Sequence, residues 1–120
     1  MTTPDQSIEQ EIQAKGKTAA RITPMDIEAN IRAETYFTAF DGFMADDRDM
    51  TMQDTDALKL LTFCVLVLRN GFTVTGESAC ASAENFDAEI GRKIARQNAV
   101  EKIWPLLGFA LKERLYAEGG

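Results

Sequence analysis

The stretch Lys59 to Glu77, KLLTFCVLVLRNGFTVTGE, constrains the fold more than any other part of the chain. Leu60 to Leu68 is a continuous apolar run rich in β-branched and aromatic residues, and Phe72 to Thr75 resumes the pattern beyond Asn70-Gly71. Asn-Gly joins antiparallel strands well, because a type I′ turn needs positive φ at both central positions and these two residues tolerate it best. The spacing therefore predicts a β-hairpin. Two strands alone are marginal in water. The sheet must gain a strand, either from the segment Phe37 to Phe43 or from a second copy of the chain. The second route predicts a homo-oligomer.

The longest helical pattern follows the hairpin. Ser82 is placed to cap a helix beginning at Ala83, with Glu84 and Asp87 in its first turns. At about 100° per residue, Phe86, Ile90, Ile94, Val100, Trp104, Leu107, Leu111 and Leu115 share one face, predicted to cover the sheet. Pro105 removes a backbone donor and predicts a kink or break at Trp104. Upstream, Thr23-Pro24 is a cap followed by a first-turn proline, which predicts a helix over Pro24 to Tyr36 with Met25, Ile27, Ile31 and Tyr36 on its apolar side. Met1 to Arg21 is polar and reads as a mobile tail with a helix around Ser7 to Lys15. Phe37 to Ala57 reads as a surface loop with an aromatic foot. Its acidic run lacks the spacing, central glycine and closing glutamate of a calcium-binding loop. The fold class is α+β: a small antiparallel hairpin sheet covered by a long kinked C-terminal helix and a shorter N-terminal helix. Residues 1–21 are the tail and 22–120 a single domain.

Charge and composition exclude several functions. Nineteen acidic residues against thirteen basic ones leave a net charge of −6. That argues against holding a nucleic-acid duplex through a broad basic face, where phosphate neutralisation supplies most of the affinity. A local basic pocket for one small anion stays open. The chain has no histidine, the commonest general base and metal ligand. Cys64 lies inside the apolar run, and the two cysteines with no export signal predict reduced thiols in a cytosol. The apolar run is too short to span a bilayer. Cys80 precedes a helix start, which lowers a thiol pKa, but no histidine base can serve it. Asp87 and Glu89 point to different faces of their helix, so no glycosidase-like pair is present. No catalytic constellation, metal set or cofactor fingerprint emerges.

The arginines offer more. Arg92 and Arg96 stand one turn apart on one flank of the long helix, with Lys93 close to the apolar stripe, Asn98 on the opposite flank and Arg114 near the C-terminal end. With Arg32 they suit a phosphate clamp, since guanidinium groups match phosphate bidentately. The plainer reading is a solvated face in which Glu89 pairs with Arg92 or Lys93. Phe86 is likewise either core or a stacking platform for a base.

These residues also carry a family resemblance. The run LLTFCVLVLRNGFTVTGESACASAENFDAEIGRKIARQNAVEKIWPLLGFALKERL resembles the small phage and prophage protein family named after gene forty-nine of phage N-four and gene sixty-six of phage Sf-six. TPMDIEANIRAETYFTAFDG resembles its N-terminal half. The NGF turn, the ESxC…ENFD junction and the KIWPL segment occur together and in order, and the likeness covers Ile22 to Leu115. It implies a phage or prophage origin and action in the host bacterial cytoplasm. That family is similar to the first type of Thoeris anti-defence proteins, phage sponges that sequester a cyclic ADP-ribose isomer, some of which also bind cyclic oligonucleotides. They act as homo-oligomers, here a dimer or hexamer, without cleaving the ligand. The resemblance implies Phe86 for stacking, Arg32 and Arg114 for phosphates, and Arg92, Arg96 and Asn98 in support. The chain carries SAEN where SPEN is expected in many relatives, and LLGF where an acidic residue is expected in some, so it departs from those relatives at the surface near Leu107. The alternative is a phage accessory protein that binds a host protein through Phe37 to Met52. A third reading, an enzyme, would consume a nucleotide over time.

Overall fold

A computed structural model describes residues 3–46 and 55–119. The chain divides into two compact units, Ile31–Lys102 and Met1–Asn30 with Ile103–Gly120.

In Ile31–Lys102, three antiparallel strands run in the order β1-β2-β3: β1 Ile31–Thr38, β2 Leu61–Leu68 and β3 Thr73–Ala79. The hairpin expected from Asn70-Gly71 is the β2-β3 pair. Its turn is not the two-residue type I′ form. Leu68 donates to the Phe72 carbonyl and Gly71 donates to the Leu68 carbonyl. That pattern closes a three-residue loop, Arg69-Asn70-Gly71, with Gly71 in the left-handed region at φ 92°. The Asn70 side chain accepts from the Phe72 amide at 2.9 Å and fixes the bend.

The third strand comes from the chain itself: its last residues, Phe37 and Thr38, belong to the segment expected to supply it, and the rest comes from residues expected to be helical. Ile31–Thr38 pairs with β2, so the helix expected over Pro24 to Tyr36 stops at Ala29 as α2, Pro24–Ala29. Asn30 caps it, and the β-branched and aromatic residues Ile31, Thr35, Tyr36, Phe37 and Thr38 fit a pleated, half-buried surface better than a helix. Register shifts between Ile31 and Ala33, where Arg32 sits in an irregularity of the strand. The expected loop from Phe37 is also structured where described. Thr38 and Asp41 form a reciprocal capping box for α3, Ala39–Ala45, and α4 spans Thr55–Leu58. Asp47, Asp49 and Asp54 of the acidic stretch lie outside the described residues.

Strand periodicity sorts β2 into two faces. Thr62, Cys64, Leu66 and Leu68 are buried, while Leu61, Phe63, Val65 and Val67 are half-buried. The buried face meets α5, Ala88–Ala117, through small residues: Gly91, Ala95 and Ala99 are all buried. Gly76 explains why. A Cβ built there would stand 2.2 Å from the Ala95 carbonyl oxygen and 2.3 Å from the Ala99 nitrogen. Helix backbone therefore lies directly on strand backbone. Large residues on that helix face would hold the two apart, so the expected stripe does not cover the sheet at this end: Ile90 is 56% exposed and Ile94 47%.

The start of α5 also differs from expectation. Ala83–Asn85 form a single 3₁₀ turn, Ser82 makes no side-chain cap, and Phe86 is extended at φ −68° and ψ 131°. Asp87 is the cap, its carboxylate accepting from the Ile90 amide at 3.0 Å. Pro105 lies inside α5 and does not end it.

In Met1–Asn30 with Ile103–Gly120, α1 is Pro4–Ala14, where the sequence predicts a tail with a helix around Ser7 to Lys15. Thr3 with Gln6 and Thr23 with Asp26 form capping boxes for α1 and α2. Ile27 and Ile103 are the fully buried residues of this unit among those described.

Candidate anion-binding site

The most polar constellation in Ile31–Lys102 lies on the β1 side of α5. Arg96 Nε donates to Glu34 Oε2 at 3.0 Å, and the Tyr36 hydroxyl donates to the same oxygen. Glu34 and Tyr36 alternate on β1 opposite Leu66 and Cys64, so both stand on the helix-covered face of an edge strand. That position lets a long side chain from α5 reach them. The hydrogen bond from Tyr36, followed by that from Arg96, holds the Glu34 carboxyl below its usual range. Burial first, then the Glu34 contact, pushes the Tyr36 phenol well above its ordinary value. Burial likewise raises the thiol of Cys64 beneath them. The phenol therefore stays a donor and the carboxylate an acceptor across the physiological range.

Arg92 is exposed one helical turn before Arg96, and Arg32 is exposed two residues before Glu34. Two guanidinium groups thus follow each other on one flank of α5, with the Glu34 carboxylate paired to Arg96 and Arg32 on the same strand as Glu34. This flank can hold a multiply charged anion. Lys93, by contrast, pairs with Glu89 at 3.4 Å on the solvent surface.

The other candidates are placed elsewhere. Asn98 Nδ2 donates to the Glu77 carbonyl at 2.8 Å. Glu77 faces Phe63 between hydrogen-bonded pairs of the ladder, so its carbonyl points out of the sheet edge and Asn98 satisfies it. Phe86 lines a cleft of about 140 Å³ with Leu60, Cys80, Ile90 and Ile94. At about 100° per residue, Arg92 lies about 200° round the helix from Ile90, and Arg96 about 200° from Ile94. One protomer therefore places Phe86 and the arginine pair on opposite flanks of α5. Arg114 is exposed in the last turn of α5, in the other unit, where a cation suits the negative helix end.

Glu34 and Tyr36 are the site residues that sequence reasoning missed. The signal was present: ETYFT carries β-forming residues with charged and aromatic side chains on alternate positions. Among the described residues, no group of three or more potential ligands is placed to hold a metal ion, and no helix is long and apolar enough to cross a membrane.

A family model described as Phage protein (N4 Gp49/phage Sf6 gene 66) family matches residues 22–115. No curated protein matches the chain, and no solved structure matches it.

Proposed function

Because the chain belongs to the Phage protein (N4 Gp49/phage Sf6 gene 66) family, we propose that it is a phage counter-defence protein that sequesters a cyclic nucleotide signal in the host bacterial cytoplasm. The arginine flank of α5 carries this reading. Arg92, Arg96 and Arg32 supply charge for a phosphate or pyrophosphate, and Glu34 supplies an acceptor for a ribose hydroxyl or an adenine amine. Affinity comes from these pairs and from base stacking, with the ligand bound and not cleaved. The resemblance to cyclic ADP-ribose sponges names the ligand class, and cyclic oligonucleotides share its chemistry.

A complete site needs a second copy on this reading. Nucleotide-sized ligands fill clefts of roughly 300–1,000 Å³, whereas the Phe86 cleft is about 140 Å³. Phe86 also lies across the helix from the arginines of its own chain. A homo-oligomer brings the aromatic flank of one protomer to the arginine flank of the next. The exposure of Ile90 and Ile94 beside Phe86 supports protein contact on that flank.

Titration calorimetry with cyclic ADP-ribose isomers and cyclic dinucleotides tests the proposal. Arg96→Ala should weaken binding at least tenfold, since a lost charge-assisted hydrogen bond costs about 1.5–3 kcal/mol. Ile90→Asp with Ile94→Asp should lower the sedimenting mass and abolish binding together. Unchanged affinity in both variants would refute the site.

A further inference from the structure

The N-terminal helix is held in an unusual way. None of the described residues of α1 is buried, and Ile8 on its inward side is 58% exposed. Open space borders it on two sides. A cavity of about 260 Å³ lies among Ile8, Ile12, Ile22, Pro24 and Trp104. A broader one of about 680 Å³ separates Gln6, Gln10 and Gln13 from Pro24, Met25 and Glu28. Well-packed interiors have few voids larger than a water molecule, so apolar packing contributes little to seating this helix.

Polar clasps hold it instead. Trp104 Nε1 donates to Asp5 Oδ2 at 3.2 Å. Arg21 grips Glu9 with both terminal nitrogens, at 2.5 and 2.6 Å. Asp5, Ile8, Glu9 and Ile12 share one face of α1 at helical spacing, so the clasps and the two isoleucines look the same way. A helix of 11 residues is marginal by itself in water. The linker after it, Lys15 to Ala20, is exposed and includes Gly16 at φ 68°. The family match begins only at residue 22, after α1 and the linker.

We propose that residues 3–20 are a releasable strap whose helix α1 is seated on an apolar groove of Ile22, Pro24 and Trp104 and is held there by Arg21 and Trp104. Asp5 and Glu9 latch the strap, and Ile8 and Ile12 face the groove. Release exposes Trp104 and Ile22 without disturbing the strands, whose hydrogen bonds lie entirely within Ile31–Lys102. This strap is separate from the arginine flank and stands without it.

Trp104 is the only tryptophan in the chain and reports on the groove directly. The test combines hydrogen exchange of the full chain with acrylamide quenching of its fluorescence. Amides of α1 should exchange at least 100-fold faster than those of β2. Asp5→Asn with Glu9→Gln, and separately Arg21→Gln, should raise the quenching constant about twofold while β2 protection stays at the wild-type level, which shows that the variants fold. Exchange in α1 as slow as in β2 would overturn the proposal. So would clasp variants that quench like wild type.

Discussion

The two units are held by opposite means. In Ile31–Lys102 the contact is backbone on backbone: Gly76 leaves no room for a Cβ under Ala95 and Ala99. In the other unit, α1 rests on two side-chain clasps beside open space. Dense packing makes the first intolerant of any added atom, whereas the polar latch of the second can open without unfolding what it covers. The lesson is that the small residues of α5, not its large ones, fix the sheet-helix layer and so decide where Arg92, Arg96 and Asn98 point.

Substitutions can break this contrast. Leu66→Ala should have the largest effect, about 2–5 kcal/mol lost from the urea unfolding free energy, because the side chain is fully buried at the centre of β2. Ile94→Ala, on the exposed face of the same layer, should cost under about 0.5 kcal/mol in a monomer. Gly76→Ala comes next, at about 3 kcal/mol, the upper end of overpacking, since only backbone atoms stand in the way. Gly108→Ala should move the other way and raise the unfolding midpoint. Its Cβ would meet nothing within 4 Å, and alanine favours a helix interior over glycine by up to about 1 kcal/mol. Thr23→Ala should cost about 1 kcal/mol through the loss of the α2 cap.

The smallest effect sharpens the comparison through pH. The Arg21 guanidinium, then the Gln13 amide, holds the Glu9 carboxyl at about 2, well below its ordinary 4.5. A depressed folded-state pKa means that the group contributes stability above its unfolded value and loses it as pH falls through the folded value. The strap should thus stay latched at pH 5 and release between pH 4.5 and about 2, with a rise in Trp104 quenching over that window. A rise that begins above pH 6 would assign the latch to another group.

Much of this was legible in the sequence. The hairpin was, because a glycine turn between two β-rich runs is a local signal, although Gly71 closes a longer loop than Asn-Gly suggests. The start of α2 was, because Thr23, Pro24 and Asp26 are a capping box in one tetrapeptide. The same spacing in Thr3 to Gln6 and in Thr38 to Asp41 marks two further helix starts. Strand β1 was not, because Met25, Ile27 and Ile31 continue a helical spacing past Ala29, and pairing with β2 outweighs that local preference. The facing of α5 was not, because periodicity counts large apolar residues and gives no weight to Gly91, Ala95 and Ala99, whose smallness sets the contact. Arg92 and Arg96 were found as a pair from their spacing. Their partners Glu34 and Tyr36 were hidden by the helical reading of β1.

An arginine flank that binds a cyclic nucleotide intact should carry its ligand through purification. The most direct measurement is mass spectrometry of small molecules released by denaturing the protein, purified from cells with an active cyclic-ADP-ribose-type signalling system. Wild type should release an uncleaved cyclic nucleotide near one per site, and Arg92→Ala with Arg96→Ala should release little or none. An empty wild-type protein that also shows no thermal shift across a cyclic nucleotide panel would contradict nucleotide binding at this flank.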